Sequence, residues 1–311
     1  MKSIIVILPY FGPFPKQFQF WLQSAYNNPT IDFLILTDNE ISSKDNINIV
    51  NMTFDELRQK IQSKFDFSIS LSSPYKLCDY RGAYGYIFEE YISSYDYWGF
   101  GDIDLVYGNI RSFLTDTVLS DFKIILGWGH LTLYRNIEEC NIFFKEKIQD
   151  QLYYKDAFTK EKYAHFDEFL HGGMSDRWKY KHPELLWEEK PFDDIAVPRL
   201  SFNFRSFFNA SVSQNLIFEY SGKNLYRVFL NNENKIDKEP TLYVHFQQRK
   251  FMEVNTSNTN EYLIIPNKYI DLVPISTNNL KKWTKPKTLE RKCWNFKNKA
   301  VRRLKLMGAS F

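Results

Sequence analysis

Asp102-Ile103-Asp104 comes directly after the aromatic run Tyr95–Phe100 and Gly101, and Leu105-Val106-Tyr107-Gly108 follows it. Alternate residues at a strand end point the same way, so the two carboxylates share a face and can turn toward one hard cation, which can in turn bridge a diphosphate. The tripeptide by itself fits an ordinary polar strand-end turn better. An EF-hand-type calcium loop would need a ligand at its fifth position and Gly at its sixth, where this chain has Val106 and Tyr107, so that reading fails. Asp102, Asp104 and Val106 also fit the Asp-x-Asp-x-Thr/Val pattern of a haloacid-dehalogenase-type phosphatase. That chemistry calls for the motif after a first strand and for a later Gly-Asp-x-x-x-Asp, which the chain lacks. Serine-hydrolase, P-loop, dinucleotide and zincin motifs (GxSxG, Walker A, GxGxxG, HExxH) are absent as well.

The elements that must position these acids read as α/β. Ile4–Leu8 is a buried-strand run halted at Pro9-Tyr10-Phe11-Gly12-Pro13. A helix is expected over Gln17–Tyr26 and a second strand at Phe33–Leu36 before Thr37-Asp38-Asn39. This βαβ opening is that of a doubly wound fold, whose ligands bind at the carboxyl ends of strands, here at Tyr10 and Asp38. Thr53 and Glu56 form a capping box for a helix reaching about Phe65. Ser73-Pro74 starts a helix whose apolar positions Leu77, Tyr80, Tyr84, Ile87, Phe88 and Tyr91 recur at helical spacing, with Lys76 and Asp79 on one face. Further strands are expected at Ile124–Leu126, Leu131–Tyr134, Leu216–Tyr220, Tyr226–Leu230 and Leu242–Phe246. A long helix is expected near Glu138–Gln151, and mostly loops with short helices over Lys160–Lys190.

With 311 residues, 44% of them hydrophobic, the chain can bury a large core, which excludes disordered, collagenous and coiled-coil classes. Aromatics reach 18%, enough to line a site that stacks rings or sugars. The net charge of +3 conceals an asymmetry: residues 281–307 carry 11 Lys/Arg against the single acid Glu290, and the remainder 29 against 36. A basic tail on an acidic body suggests an anionic surface, and the acidic body argues against nucleic acid. Cys78, Cys140 and Cys293 are scattered, suggesting neither a disulfide framework nor a zinc site. The apolar run Ile4–Leu8 is too short for a signal segment, and no stretch approaches a membrane span. A cytoplasmic protein, peripheral on the inner face of the cell membrane, is expected.

The run Tyr75–Gly108, YKLCDYRGAYGYIFEEYISSYDYWGFGDIDLVYG, resembles the nucleotide-sugar-binding segment of GT-A-fold glycosyltransferases, above all a group of bacterial capsule, exopolysaccharide and lipopolysaccharide transferases. The resemblance extends over roughly residues 3–250 and includes Pro9-Tyr10-Phe11-Gly12-Pro13 and Leu36-Thr37-Asp38. It implies a Rossmann-type domain with a mixed, mostly parallel sheet, and Mn²⁺ or Mg²⁺ held by Asp102 and Asp104. A C-terminal histidine closes the metal site in many such enzymes, and Tyr243-Val244-His245-Phe246-Gln247-Gln248-Arg249-Lys250 supplies His245, followed by bases that would neutralise the diphosphate. Pro9, Tyr10, Phe11, Asp38, Lys76, Asp79, Ile103 and Lys250 would form the donor-binding set, with Tyr10 or Phe11 stacked on the uracil. Related families carry an Arg three residues after the helix Asp, where this chain has Gly82 with Arg81 one position early. The resemblance puts an acid beyond the metal strand near the reacting carbon. Asp167 or Glu168 would then act as base toward the acceptor hydroxyl or stabilise an oxocarbenium-like transition state. His171-Gly172-Gly173-Met174 would serve as a lid.

The resulting expectation is one GT-A-like domain over residues 1–280 and a basic, membrane-surface element over 281–311. Its activity would transfer a hexose from a UDP-sugar to a bacterial polysaccharide or lipid-linked oligosaccharide, with retention of configuration. The alternatives are the phosphatase with Asp102 as nucleophile, a non-catalytic glycan-binding module, and an adaptor that acts through the basic tail.

Overall fold

The computed structural model describes residues 1–170, 172–209, 215–247, 249 and 252–306, the side chains of 300–306 excepted. The chain divides into two compact units. The first holds Met1–Phe14, Ala25–Ile103 and Arg111–Lys190; the second holds Pro15–Ser24, Asp104–Ile110 and the chain from Pro191 onward. The chain crosses from first to second inside the Asp-x-Asp tripeptide, between Ile103 and Asp104.

In the first unit β-branched and aromatic runs form strands β1 (Ile4–Pro9), β2 (Ile31–Thr37), β3 (Ile47–Asn51) and β4 (Tyr97–Gly101). After β5 (Leu105–Tyr107), which belongs to the second unit, come β6 (Ile124–Trp128), β7 (Leu131–Arg135) and β8 (Leu186–Trp187). They make a seven-stranded sheet of order β3-β2-β1-β4-β7-β6-β8. It is parallel from β3 through β4, with β7 antiparallel to both its neighbours and β8 parallel to β6. The mixed, mostly parallel sheet is therefore as expected. The chain runs outward from β1 to β3 and returns on the other side of β1 as β4. The adjacent carboxyl ends of β1 and β4 thus mark a topological switch point, where open α/β sheets take their ligands. Helix α2 (Phe54–Ser63) starts at the expected capping box, Thr53 and Glu56 satisfying each other's backbone N–H groups.

Two helices differ from expectation. Pro74–Ala83 is a 3-10 helix, continued by single α-turns at Tyr84–Ile87 and Glu89–Ile92. Leu77, Tyr80 and Ala83, all buried, repeat at three residues, the 3-10 period, as do Lys76 and Asp79. Gly85 follows because a Cβ there would stand 2.5 Å from the Trp98 ring, which stacks on Tyr134 with centroids 4.6 Å apart. The segment read as a helix over Glu138–Gln151 is helical only at Glu138–Ile142, with a 3-10 turn at Phe143–Lys145. Buried Arg177, in the helix Met174–Lys181, donates to the carbonyls of Phe143, Phe144 and Glu146, which a continuing helix would have used internally.

The second unit carries β9 (Asp193–Asp194), β10 (Ile217–Ser221), β11 (Asn224–Leu230), β12 (Ile236–Pro240) and β13 (Tyr243–His245). It continues with β14 (Glu253–Asn255), β15 (Tyr262–Ile265) and β16 (Lys268–Asp271). Six of these form a largely antiparallel sheet, β12-β11-β10-β15-β16-β14, while β5-β13-β9 form a small second one. Helix α1 (Phe18–Tyr26) gives Phe20 to this core, stacked on Tyr269 at 4.1 Å. The helices Thr277–Trp283 and Thr288–Leu306 end the described chain.

Candidate metal centre and acidic cluster

The register of the small sheet builds the first constellation. β13 runs antiparallel to β5, with His245 opposite Leu105, and parallel to β9, with His245 opposite Asp194. Asp104, one residue before β5, accepts the Phe246 N–H on its carbonyl at 3.1 Å, which fixes its backbone beside the end of β13. As a result the His245 imidazole has a carboxylate at each nitrogen: Asp104 Oδ1 lies 3.4 Å from Nε2 and Asp194 Oδ1 2.9 Å from Nδ1. Gln247 donates to both Asp194 oxygens at 2.8 and 2.7 Å, so Asp194 is itself held in place. Burial pulls the His245 pKa down, but Asp104 and Asp194 outweigh it and hold the imidazole well above its ordinary value.

This donor set fits a divalent cation. Nε2 and the Asp104 carboxylate converge, while the Asp194 bond at Nδ1 fixes tautomer and ring angle, the usual outer-shell support of a ligating histidine. A cation here takes the place of the imidazolium proton, so binding releases a proton. Asp194→Asn is expected to weaken Mn²⁺ binding about 10- to 100-fold with Asp104 and His245 intact, as measured by calorimetry.

In the first unit a second constellation forms around Arg81. One guanidinium nitrogen donates to the Gly129 carbonyl at 2.5 Å and to Asp167 Oδ2 at 2.9 Å; the other pairs with Asp102. The Tyr163 hydroxyl lies 2.9 Å from Asp167 Oδ1 and 3.2 Å from Glu168 Oε1. Asp167 is wholly buried with both oxygens engaged, whereas Glu168 is half-buried. Gly129 makes room for it: a Cβ at that position would stand 2.6 Å from Glu168 Cγ. Burial raises the Asp167 carboxyl to about 7 despite the Arg81 charge, with Glu168 adding to the rise. The fold therefore favours the protonated form: the advantage is full below the unfolded value of about 4 and is lost as pH rises through about 7. Relative to Asp167→Asn, the wild type is expected to lose urea resistance progressively over that window. A pH-independent difference between their urea midpoints would contradict the shift.

Lys76 and Asp79 meet as a buried ion pair that fastens a loop. The buried Lys76 ammonium pairs with Asp79 and donates to the carbonyls of Ala157 and Lys162, both at 2.9 Å. The fully buried Asp79 carboxylate takes the N–H groups of Ala164 and Phe166, fastening the loop that carries Tyr163, Asp167 and Glu168. Asp79→Ala leaves a buried ammonium unpaired and is expected to cost about 3–5 kcal/mol in urea unfolding.

At the carboxyl end of β1, the Tyr10 ring stacks on Phe14 at 5.0 Å, Phe11 packs edge-on against Phe54, and Asp38 accepts the Gly12 N–H at 3.0 Å. Pro9 and Ile103 are half-buried. Arg249 is buried and donates to the carbonyls of Ala196, Ser201 and Asn203, so it braces a loop. Lys250 and His171 lie outside the described residues. Sequence pattern marks Arg81 only as standing one position early and does not single out Tyr163 or Asp194. A signal for the last was present, since Asp193-Asp194 is an acid pair enclosed by Phe192 and Ile195.

Residues 6–273 match DUF6625, a family of unknown function. The chain belongs to this family. The matched stretch of this DUF6625 chain contains Arg81, Asp102, Asp104, Asp194 and His245 and stops short of the helix Thr288–Leu306. No curated protein matches it. Among solved structures it is similar to mouse xyloside xylosyltransferase 1 in its apo form, with 12% identity and a TM-score of 0.34, over 63% of this chain and 88% of that one.

Proposed function

We propose that this DUF6625 protein is a metal-dependent glycosyltransferase that moves a hexose from a UDP-sugar to a glycan or lipid-linked oligosaccharide of a bacterial surface polysaccharide. The observation that carries the reading is the pairing of Asp104 with His245 Nε2 while Asp194 holds Nδ1. It joins the second acid of an Asp-x-Asp motif to a histidine 141 positions downstream, as the sequence resemblance implies. Asp104 and His245 would hold Mn²⁺ or Mg²⁺, and the motif adds Asp102. A divalent ion bound there would supply positive charge against the donor diphosphate.

The chain's own groups account for the rest. The switch point at the ends of β1 and β4 offers the nucleotide its crevice, with Tyr10 and Phe11 on the β1 side. In the transfer the bond from the anomeric carbon to the diphosphate oxygen breaks, and one to the acceptor oxygen forms. Glu168, not the enclosed Asp167, takes the acceptor proton or, with retention, stabilises charge on the anomeric carbon while the departing diphosphate oxygen takes that proton. Arg81 orients Asp167 and neutralises Asp102, and Asp79 positions the loop.

The test is UDP release from a panel of UDP-hexoses with Mn²⁺ or with EDTA. The expected result is metal-dependent release from at least one donor that Asp104→Ala abolishes. Donor cleavage that persists in EDTA and in Asp104→Ala would contradict the proposal.

A further inference from the structure

The helix Thr288–Leu306 leaves an apolar face uncovered. Leu289, Cys293 and Phe296 are spaced four and three residues apart, which places them on one side of an α-helix. Leu289 is 75% exposed and Phe296 77%, and Cys293 is exposed too. At 100° per residue Lys292 and Lys299 flank this stripe on one side and Lys297 on the other, all three exposed. Among the described residues the ion pair of this segment is Lys287–Glu290 at 3.3 Å; no carboxylate lies within salt-bridge range of Lys292, Lys297 or Lys299. The sequence adds Arg302, Arg303 and Lys305 with no further acid.

We propose that this helix lies in the plane of an anionic lipid surface, with Leu289 and Phe296 inserted and the flanking lysines on the headgroups. An apolar stripe bordered by bases is what an interfacial helix presents: insertion rewards the apolar side chains, and the bases add attraction only where the lipid is anionic. A nucleic acid would engage the lysines but gain nothing from Leu289 and Phe296. The acidic remainder of the chain, 29 bases against 36 acids, would repel a long polyanion. No helix among the described residues is long and apolar enough to cross a membrane.

The full chain would be sedimented with vesicles of phosphatidylglycerol and phosphatidylcholine and with vesicles of phosphatidylcholine alone, in EDTA and without nucleotide, so that the outcome is independent of the donor site. Binding to the anionic vesicles alone is expected, weakening with salt. Lys292→Gln/Lys299→Gln should reduce it about 30-fold. Leu289→Asp/Phe296→Asp should abolish it with circular dichroism unchanged, since neither side chain is in the core. Absence of vesicle binding would overturn the proposal. So would binding indifferent to the Asp substitutions, or retention of the chain by RNA but not by vesicles.

Discussion

Glu168→Gln is expected to leave UDP binding within a few-fold of wild type while lowering the rate of sugar transfer about 10²- to 10⁴-fold, the contribution of a positioned acid–base group. Two neighbouring acids have unequal surroundings. Asp167 is wholly buried, one oxygen held by Arg81 and the other by Tyr163, so it has no face to offer a substrate. Glu168 shares the Tyr163 hydroxyl but stays half-buried, over the space that Gly129 leaves open. Gly129→Ala should therefore reproduce part of the defect without touching an ionisable group, because its Cβ claims the position of Glu168 Cγ. Single-turnover kinetics on both variants separate the chemical step from donor binding. Undiminished turnover in Glu168→Gln would transfer the role elsewhere.

Asp104→Asn is expected to act twice. Without metal, removing one of the two carboxylates flanking the imidazole should lower the His245 pKa toward its ordinary value, visible in an NMR titration of that ring. With metal, it removes a charged ligand, and Mn²⁺ affinity should fall at least about 100-fold, a loss that His245→Ala should match. In the wild type, calorimetry in buffers of different ionisation enthalpy should show about one proton released per ion bound near neutral pH, the imidazolium proton exchanged for the cation. Unchanged Mn²⁺ binding in both variants would dissolve the centre.

Much of the scaffold was legible because it follows short-range rules. Continuous apolar runs mark β1 and β2, and Thr53 with Glu56 announces α2. The Asp-x-Asp pair and His245 were legible as residue types that need one another. The sequence could not show that the Ile103–Asp104 link is where the chain passes between two compact units, nor that β9 would deliver Asp194 to the far side of the imidazole. Both depend on pairings across some 50 to 140 residues, which no local period encodes. The 3-10 helix differs from the expected α-helix for a related reason. Leu77, Tyr80 and Ala83 satisfy a three-residue spacing common to both helix types, and tertiary packing decided between them. Lys76 and Asp79 looked like ligand-binding residues by resemblance. Both lie buried, and Asp79 also serves two N–H groups of the loop that bears Glu168.

In the proposed site Asp104 and His245 hold a metal that in turn holds a nucleotide diphosphate. The decisive experiment titrates UDP into the protein by calorimetry, in Mn²⁺ and again in EDTA, with Asp104→Ala and His245→Ala alongside. UDP binding that requires Mn²⁺ and is lost in both variants is expected. UDP binding indifferent to EDTA and to both substitutions would contradict it, as would no binding under any condition. A phosphoaspartate on Asp102 formed equally well in His245→Ala would put the phosphatase in its place.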